Sequence, residues 1–181
     1  MYYWSNTNPH WITEIDHNNK AHLNVWAGIL HNQIIGPIFY EGTLTGAKYL
    51  SLLQNEIGPL VEDLNTNSEI WFQQDGAPAH YHNEVVGYLN DVFPGHWIGR
   101  RGEIEWPPRS PDLNPLDFFL WGYLKQKVYK TCPDSLQVLR QRICQAVQQI
   151  PLGMLERVQR AIFYRLGYCQ IQLGGSFEHL I

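Results

Sequence analysis

Two aspartates lie where one predicted element ends and the next begins, and their side chains are well suited to binding a metal ion. Asp75 ends an apolar run and is followed by Gly-Ala-Pro-Ala-His, and Asp117 closes Ser-Pro-Asp-Leu-Asn-Pro-Leu-Asp at residues 110–117. Two carboxylates brought together in this way form a site for divalent cations. Pairs of such ions are a common means of cutting and rejoining phosphodiester bonds. The two residues therefore predict metal-dependent chemistry on a nucleic acid.

Each aspartate taken singly also has a purely structural interpretation. Asp75-Gly76 is a strong turn dipeptide, and Asp117 at the third position of a helix would stabilise the helix N-terminus. Asp112 is a rival for the second carboxylate, but it precedes the helix and is better placed to organise the loop. The separation 117 − 75 = 42 holds a helix, a short strand and a loop, which is enough chain to return to the same sheet edge.

Length and composition predict one packed domain over residues 1–181. The chain is long enough for one core and too short for two comfortable ones, and its seven Trp and ten Tyr favour a folded protein over disorder. We expect no membrane segment and no signal peptide, because no apolar run is long enough to span a bilayer. Cys132, Cys144 and Cys169 are far apart, which suits reduced thiols in an intracellular protein.

The charge is unevenly distributed along the chain. The net charge is −4, with −8 on residues 1–99 and +4 on residues 100–181. A domain that binds duplex DNA alone is normally basic overall, because neutralising phosphates supplies much of the affinity. This chain therefore offers at most a local basic patch.

Arginines and tryptophans alternate in the segment before Asp117. Arg100, Arg101 and Arg109 flank Trp97 and Trp106. This mixture suits contacts with the DNA backbone and stacking on bases. An exposed loop whose tryptophans are buried is an equally good interpretation.

Two further residues are candidates for contacts with DNA. His80 is expected to pack beside the turn at Asp75 and to orient a carboxylate or a phosphate. Together with His82 it gives only a weak signal for zinc, because no cysteine is near. Lys125, near the end of the helix that contains Asp117, is placed either to contact phosphate or to offset the negative helix terminus.

Hydrophobic periodicity predicts an α/β layered domain with a mixed sheet. Asn114 is predicted to cap the helix that begins at Pro115, and Asp134 to cap the next one. The predicted elements are strands at Leu23–Ile29 and Ile34–Tyr40 joined by a turn at His31-Asn32, a helix from Thr45 that kinks at Pro59, a strand at Glu69–Gln74, a helix at Asn83–Val92, a short strand at Trp97-Ile98 and three helices after Asn114.

The two aspartate motifs together carry a family resemblance. Gln-Asp-Gly-Ala-Pro-Ala-His at 74–80, followed by Trp-Pro-Pro-Arg-Ser-Pro-Asp-Leu-Asn-Pro-Leu-Asp-Phe-Phe-Leu-Trp-Gly at 106–122, resembles the catalytic domain of mariner-type DNA transposases. The resemblance continues at residues 3–11, 25–29 and 174–179, and so covers nearly the whole chain. Both motifs would very rarely match in the same order by chance.

The resemblance implies a ribonuclease H-like fold in which a mixed sheet is flanked by helices. It implies a triad of acidic residues that holds two Mg²⁺ (or Mn²⁺) ions, with Asp75 as the second acid and Asp117 as the third. The implied partners are DNA, as transposon ends and target duplex, and a second copy of the chain in a homodimer. The implied location is the nucleus.

One departure from the family pattern bears on activity. The first catalytic aspartate of the family lies on a strand upstream of the segment matching Tyr2–Trp11, and this chain begins at Met1. We therefore expect an N-terminally truncated domain that lacks the first strand and is inactive as it stands. Glu14 and Asp16 are poor substitutes, because they lie in a polar stretch. The alternatives are a non-catalytic module that binds nucleic acid or protein, and a metal-dependent nuclease acting on another substrate.

Overall fold

A computed structural model of the protein describes residues 23–64, 69–108, 110–175 and 177–180. The expectations about Glu14, Asp16, Arg109 and the segment at Tyr2–Trp11 therefore lie outside the described residues. The first described element is an antiparallel hairpin of β1 (Asn24–Leu30) and β2 (Gln33–Tyr40).

The hairpin confirms the predicted strands and the predicted turn. His31 adopts the left-handed conformation with a φ of 50° at the turn, which suits a tight reversal between two strands. Successive side chains of a strand point to opposite faces, so Ala27 and its neighbour Trp26 enter different cores. The hairpin is thus covered on both faces.

A long helical segment follows the hairpin. Thr45 caps α1 (Gly46–Leu52) by accepting a hydrogen bond from the Lys48 amide at 3.3 Å. A π-helical stretch, Leu53–Ile57, joins α1 to α2 (Gly58–Asp63). The expected kink at Pro59 takes the form of this wider turn, which leaves the proline in the first turn of α2, where it is tolerated.

The second pair of strands is parallel and short. β3 (Phe72–Gln73) pairs with β4 (Trp97–Ile98), and α3 (Asn83–Val92) forms the crossover between them. The bounds of α3 and β4 agree with the sequence prediction. The predicted strand Glu69–Gln74 keeps only two residues in the ladder.

The two strand pairs are not hydrogen-bonded to each other among the described residues. The antiparallel and the parallel strand pairing expected of a mixed sheet are both present. A cavity of about 540 Å³, however, lies between β1 and β3. Residues 25–31 and 70–75 line it without interruption. Because alternate side chains leave a strand on opposite faces, consecutive lining residues mean that the strand edges face this cavity. The described residues do not test the expectation that the first strand of the family is missing, and it stays a prediction.

The remaining elements are helical. A 3₁₀ turn at Pro111–Leu113 precedes a π-helical stretch, Leu116–Leu120, that runs into α4 (Trp121–Val128). They are followed by α5 (Leu136–Gln148) and α6 (Leu152–Ile171), and a 3₁₀ turn at Glu178–Leu180 ends the described chain.

The prediction that Asp134 caps α5 is wrong. Ser135 is the cap, and its hydroxyl accepts a hydrogen bond from the Val138 amide at 3.2 Å. A capping side chain accepts a hydrogen bond from an amide of the first turn that lies two or three positions later in the chain. Asp134 lies one residue too early for the amide of Val138.

Two hydrophobic cores lie on opposite faces of the hairpin, which gives the layered α/β arrangement that the element order predicted. The first core combines Ile38 of β2 with α1, the π turn and α3, and its buried members include Tyr49, Leu53, Val85, Leu89 and Trp97. The second combines Ala27 of β1 with α4 and α5, and its buried members include Leu120, Leu124, Val128, Leu139 and Ile143.

Two expectations concern membranes and cysteines. Of the described helices, none combines the length and the apolar character that crossing a bilayer requires. Cys132, Cys144 and Cys169 are all free thiols, as their spacing predicted.

Candidate metal site

Asp75 is held in a turn directly after β3. Its Oδ1 accepts a hydrogen bond from the Ala77 amide at 3.0 Å and another from Nδ1 of His80 at 2.6 Å. The first bond closes the local turn expected of an aspartate before glycine. The side chain is 46% exposed, whereas that of His80 is only 16% exposed. His80 therefore supports the carboxylate from the protein side and leaves it accessible from solvent.

A buried polar network fixes His80 in turn. Gln74 is buried; its Oε1 accepts a bond from the Tyr49 hydroxyl at 3.1 Å, and its Nε2 donates to the His80 carbonyl at 2.9 Å. The ring centroids of Tyr49 and His80 are 4.4 Å apart. The histidine is thus restrained at its backbone and its ring, which preorganises the hydrogen bond to Asp75.

The sequence analysis missed this network, although one signal was available. Side chains alternate along a strand, so Gln74 shares a face with Phe72 and points inward, unlike Gln73. A polar side chain at an inward-facing position needs a partner. The partner, Tyr49, lies on another element and is not identifiable from local sequence.

The hydrogen bond from His80 lowers the pKa of Asp75 below its ordinary value. Partial burial acts in the opposite direction, and the Ala77 amide and the charge of His80 lower the pKa further. Hydrogen bonds to the charged form favour ionisation. Asp75 is therefore a carboxylate throughout the neutral range, as a metal ligand must be.

Asp117 lies in the first turn of the helical segment that leads into α4, and Asn114 positions it. Oδ1 of Asn114 accepts from the Leu116 amide at 3.1 Å, and its Nδ2 donates to Oδ2 of Asp117 at 2.8 Å. The predicted capping role of Asn114 is confirmed. The residue does a second task that the sequence did not predict, because it also orients the carboxylate.

An arginine from α6 restrains the loop that leads to Asp117. Arg165 donates from Nη1 to the Asp112 carbonyl at 3.0 Å, and its guanidinium carbon lies 4.2 Å from the centroid of the Phe118 ring. This bond involves the backbone of Asp112 and not its carboxylate, so the organising role expected of the Asp112 side chain stays a prediction. Asp112 lines neither of the two cavities that the other aspartates share.

Asp75 and Asp117 converge at one edge of the fold. Both line the 540 Å³ cavity, and both line a second cavity of about 580 Å³. Burial raises the pKa of Asp117, the negative charge of Asp75 raises it further, and the hydrogen bond from Asn114 opposes both effects. Two like charges close enough to affect each other's pKa form an arrangement that a cation would stabilise. Within the described ranges, no group of three or more potential ligands could hold one metal ion, so no third carboxylate there is close enough to share an ion with the pair.

The other predicted contact residues differ in their surroundings. The guanidinium carbon of Arg100 lies 4.2 Å from the centroid of the Tyr81 ring, and Arg100 lines the 580 Å³ cavity. Arg101 donates to Oδ1 of Asn83 at 2.9 Å. Lys125 is exposed and lines a further cavity, of about 660 Å³, together with Asp117. Arg109 lies outside the described residues.

The two tryptophans of this region have different environments. Trp97 is 2% exposed and belongs to the first core, and its indole N–H donates to Oδ1 of Asn90 at 2.9 Å. Trp106 is partly exposed and lines the 580 Å³ cavity. The buried-tryptophan interpretation is thus correct for Trp97, and only Trp106 has a surface available for stacking.

Helix layers on both faces of a hairpin, with carboxylates at a strand end and at a helix start, are the features expected of a ribonuclease H-like domain. Solved structures confirm this fold. The catalytic domain of the Mos1 mariner transposase has a TM-score of 0.71 at 19% identity and covers 84% of this chain and 74% of that one. The Mos1 paired-end complex with the left transposon end has a TM-score of 0.72 at 20% identity, over 98% of this chain and 51% of the other.

Curated relatives confirm the resemblance to transposases. The transposase of transposable element Tc3 from Caenorhabditis elegans is 29% identical over 145 residues, which are 78% of this chain and 41% of that protein. The Tcb1 transposase of Caenorhabditis briggsae is 31% identical over 107 residues, or 58% and 35%. No family model matches. The chain spans about two fifths of the curated relatives, and it is similar to the catalytic part of a mariner-type transposase.

Proposed function

We propose that this chain is the catalytic part of a mariner-type DNA transposase, in which Asp75 and Asp117 bind a divalent cation beside a DNA phosphodiester. The observation that carries the proposal is the convergence of the two carboxylates at one edge, in a fold shared with a transposase catalytic domain. In the intact family the reaction is hydrolysis at transposon ends followed by attack of the freed 3′-hydroxyl on target DNA.

The donor set fits magnesium or manganese. Hard cations of this kind prefer carboxylate oxygens, and Mos1 catalytic domain structures with Mg and with Mn are among the similar folds. A bound ion would polarise a phosphoryl oxygen and activate a water molecule. The hydrogen bond from His80 keeps Asp75 ionised and orients it toward that ion. The hydrogen bond from Asn114 orients Asp117.

Catalysis requires more ligands than this pair. Two carboxylates are enough to bind one ion weakly, whereas in-line displacement uses two ions about 4 Å apart with shared ligands. We therefore propose that cleavage of DNA needs a third carboxylate from outside the described residues, and that Asp75 and Asp117 without it do not cleave DNA.

The proposed partner is DNA, and the proposed location is the nucleus, where that substrate is. The local basic residues, Arg100 and Lys125, lie near the carboxylate pair and support a phosphate contact there. Homodimerisation is also proposed by analogy with the family. Phe119 and Trp121, next to Asp117 on the same helical segment, are partly buried in the second core, so a dimer surface would have to use other residues as well.

Metal binding is the direct test. Titration of Mn²⁺, followed by the electron paramagnetic resonance signal of the free ion, should show one site per chain. Asp75→Asn and Asp117→Asn should each remove it, and Asp112→Asn, the matched control in the neighbouring loop, should leave it intact. Equal binding by all four proteins would contradict the assignment.

A cleavage assay complements the titration. Supercoiled DNA incubated with the chain and Mn²⁺ should remain uncut unless a residue outside the described ranges supplies the third carboxylate. Nicking that persists undiminished in Asp75→Asn would show that another site or a contaminant is responsible and would remove the proposed role of Asp75.

The second candidate function is a non-catalytic module that binds nucleic acid or protein. The exposed basic side chains of Arg100 and Arg101 favour it. A non-catalytic binding module predicts that DNA affinity falls with rising salt to the same extent with and without divalent cations. The transposase proposal predicts a gain in affinity when the cation is added. A nuclease acting on another substrate would bind the metal but cleave RNA in preference to DNA.

A further inference from the structure

The 580 Å³ cavity on the outer side of the carboxylate pair has the size and lining of a nucleotide site. Its volume lies within the usual range for small-ligand pockets, about 300–1,000 Å³. Asp75 and Asp117 form one wall. Another wall comes from the loop between β4 and the 3₁₀ turn, which contributes Arg100, Glu105 and Trp106.

Trp106 supplies an aromatic surface at this wall. Its side chain is partly exposed and is followed by Pro107 and Pro108, two residues that restrict the backbone. Aromatic side chains in grooves for single-stranded DNA stack on bases with little regard to sequence. Trp106 is therefore suited to hold a base without selecting its identity.

Among the described residues of the lining, Arg100 is the one that carries a positive charge. Its guanidinium carbon lies 4.2 Å from the centroid of the Tyr81 ring, and no described carboxylate forms an ion pair with it. Stacking on an aromatic ring restrains the guanidinium plane while the N–H groups at its edge remain available to a phosphate.

We propose that this cavity binds the nucleotide adjacent to the phosphodiester at the carboxylate pair, with Trp106 stacked on the base and Arg100 on a phosphate. The inference rests on the proposed function, because it assigns the base and phosphate contacts of the same site. It adds a position for the nucleobase, which the metal ligands do not define.

The charge of the lining makes this binding dependent on a cation. Among the described lining residues, Asp75, Glu105 and Asp117 outnumber Arg100, so a phosphate entering the metal-free cavity would meet net negative charge from them. A divalent ion between Asp75 and Asp117 would neutralise that charge. Nucleotide binding should therefore require the divalent ion, unlike non-specific binding to a basic surface.

The test compares two labelled strands by fluorescence anisotropy in Ca²⁺, a hard cation that also takes carboxylate oxygens. One is a short thymidine strand, and the other has the same phosphate backbone without bases. The protein should bind the thymidine strand about tenfold more tightly, within the range that stacking of a base supplies. Trp106→Ala should remove this preference, and Trp106→Phe should retain most of it.

Two controls separate base stacking from other effects. Arg100→Gln should weaken binding of both strands alike and lower the slope of affinity against salt by about one. Phe163→Ala, which removes an aromatic ring that is 75% exposed on α6, should change neither the affinity nor the preference. Circular dichroism and urea unfolding establish that each variant is folded.

Failure of the nucleotide site and failure of the proposed function would give different results. A preference for the thymidine strand that survives in Trp106→Ala, or no preference in the unaltered protein, would overturn the nucleotide site. Binding that is indifferent to Ca²⁺ and unchanged by Asp75→Asn would instead overturn the proposed function. Cation-dependent binding without a base preference would leave the proposed function standing and remove only the inference drawn here.

Discussion

Replacing each carboxylate of the pair by an amide should affect stability in different ways. In the metal-free protein, we expect Asp75→Asn to lower the free energy of unfolding by about 1 kcal/mol and Asp117→Asn to change it by less than about 0.5 kcal/mol. Both substitutions keep the size of the side chain. The difference therefore reports on charge and hydrogen bonding alone.

The magnitude for Asp75 follows from its two hydrogen bonds. Oδ1 accepts from His80 and from the Ala77 amide, and a bond to a charged group contributes about 1 kcal/mol more than a neutral one. The gross difference for two bonds is about 2 kcal/mol. The side chain is 46% exposed, so water screens roughly half of it and leaves about 1 kcal/mol.

For Asp117, two small effects oppose each other. The amide loses the favourable interaction of a negative charge with the helix N-terminus, about 0.3–1 kcal/mol at an exposed position. It also relieves the repulsion by Asp75 that raises the pKa of Asp117. The hydrogen bond from Asn114 persists, because an asparagine oxygen also accepts. The net change should be close to zero.

Acid pH gives a second readout with a definite sign. The pKa of Asp75 is lowered on folding, so its stabilisation is present above the unfolded pKa of about 3.9 and is lost as pH falls through the lower folded value. The pKa of Asp117 is raised, so its charge opposes folding above the folded value, and this penalty vanishes below the unfolded one. Both variants should therefore approach the stability of the unaltered protein in acid.

Urea unfolding followed by circular dichroism measures these effects. A loss of 1 kcal/mol shifts the midpoint by roughly 0.5 M for a protein of this size. A destabilisation by Asp117→Asn equal to that of Asp75→Asn would refute the reasoning. So would an Asp75→Asn deficit that is the same at neutral and at acid pH.

Three further predictions follow from the supports of the site and the core. His80→Ala should weaken Mn²⁺ binding about 10- to 100-fold without changing the stoichiometry; unchanged affinity in the resonance titration would show that the histidine does not orient Asp75. Arg165→Ala removes the bond to the Asp112 carbonyl and the contact with Phe118, and should cost about 1–2 kcal/mol in urea unfolding. A cost below about 0.3 kcal/mol would contradict the restraint assigned to this arginine. Leu120→Ala, at a fully buried position, should cost about 2–5 kcal/mol by the same measurement; a mild effect would contradict its place in the second core.

Elements with strong local patterns were predictable from the sequence. The hairpin turn at His31, the helix α3 and the strand β4 all follow from periodicity and turn residues within a few positions. The cap of α5 was misplaced by one residue, because Asp134 and Ser135 are both good capping residues and only backbone geometry distinguishes them. The π turn before Pro59 has no sequence signature beyond the proline itself.

The approach of the two aspartates was predictable from topology, but the groups that hold them were not. Asn114 is local to Asp117 and its capping role followed from the sequence. Tyr49 is 25 positions from Gln74, and Arg165 is 53 positions from Asp112. Such contacts depend on how helices pack, which no local pattern encodes. The sequence therefore predicted that the two carboxylates approach each other and missed most of the residues that orient them.

Because a gap separates the two strand pairs, the exposure of the β1 amides shows whether another strand occupies that gap. Along an antiparallel strand the amide groups point alternately toward the partner strand and away from it. In residues 24–30, the amides that point away from β2 face the cavity and have no backbone partner among the described residues. Hydrogen–deuterium exchange should therefore alternate between slow and fast along residues 24–26 and again along residues 28–30, on either side of the register shift at Ala27. Uniform protection along β1 would mean that another stretch of polypeptide has entered the gap and completed the ladder.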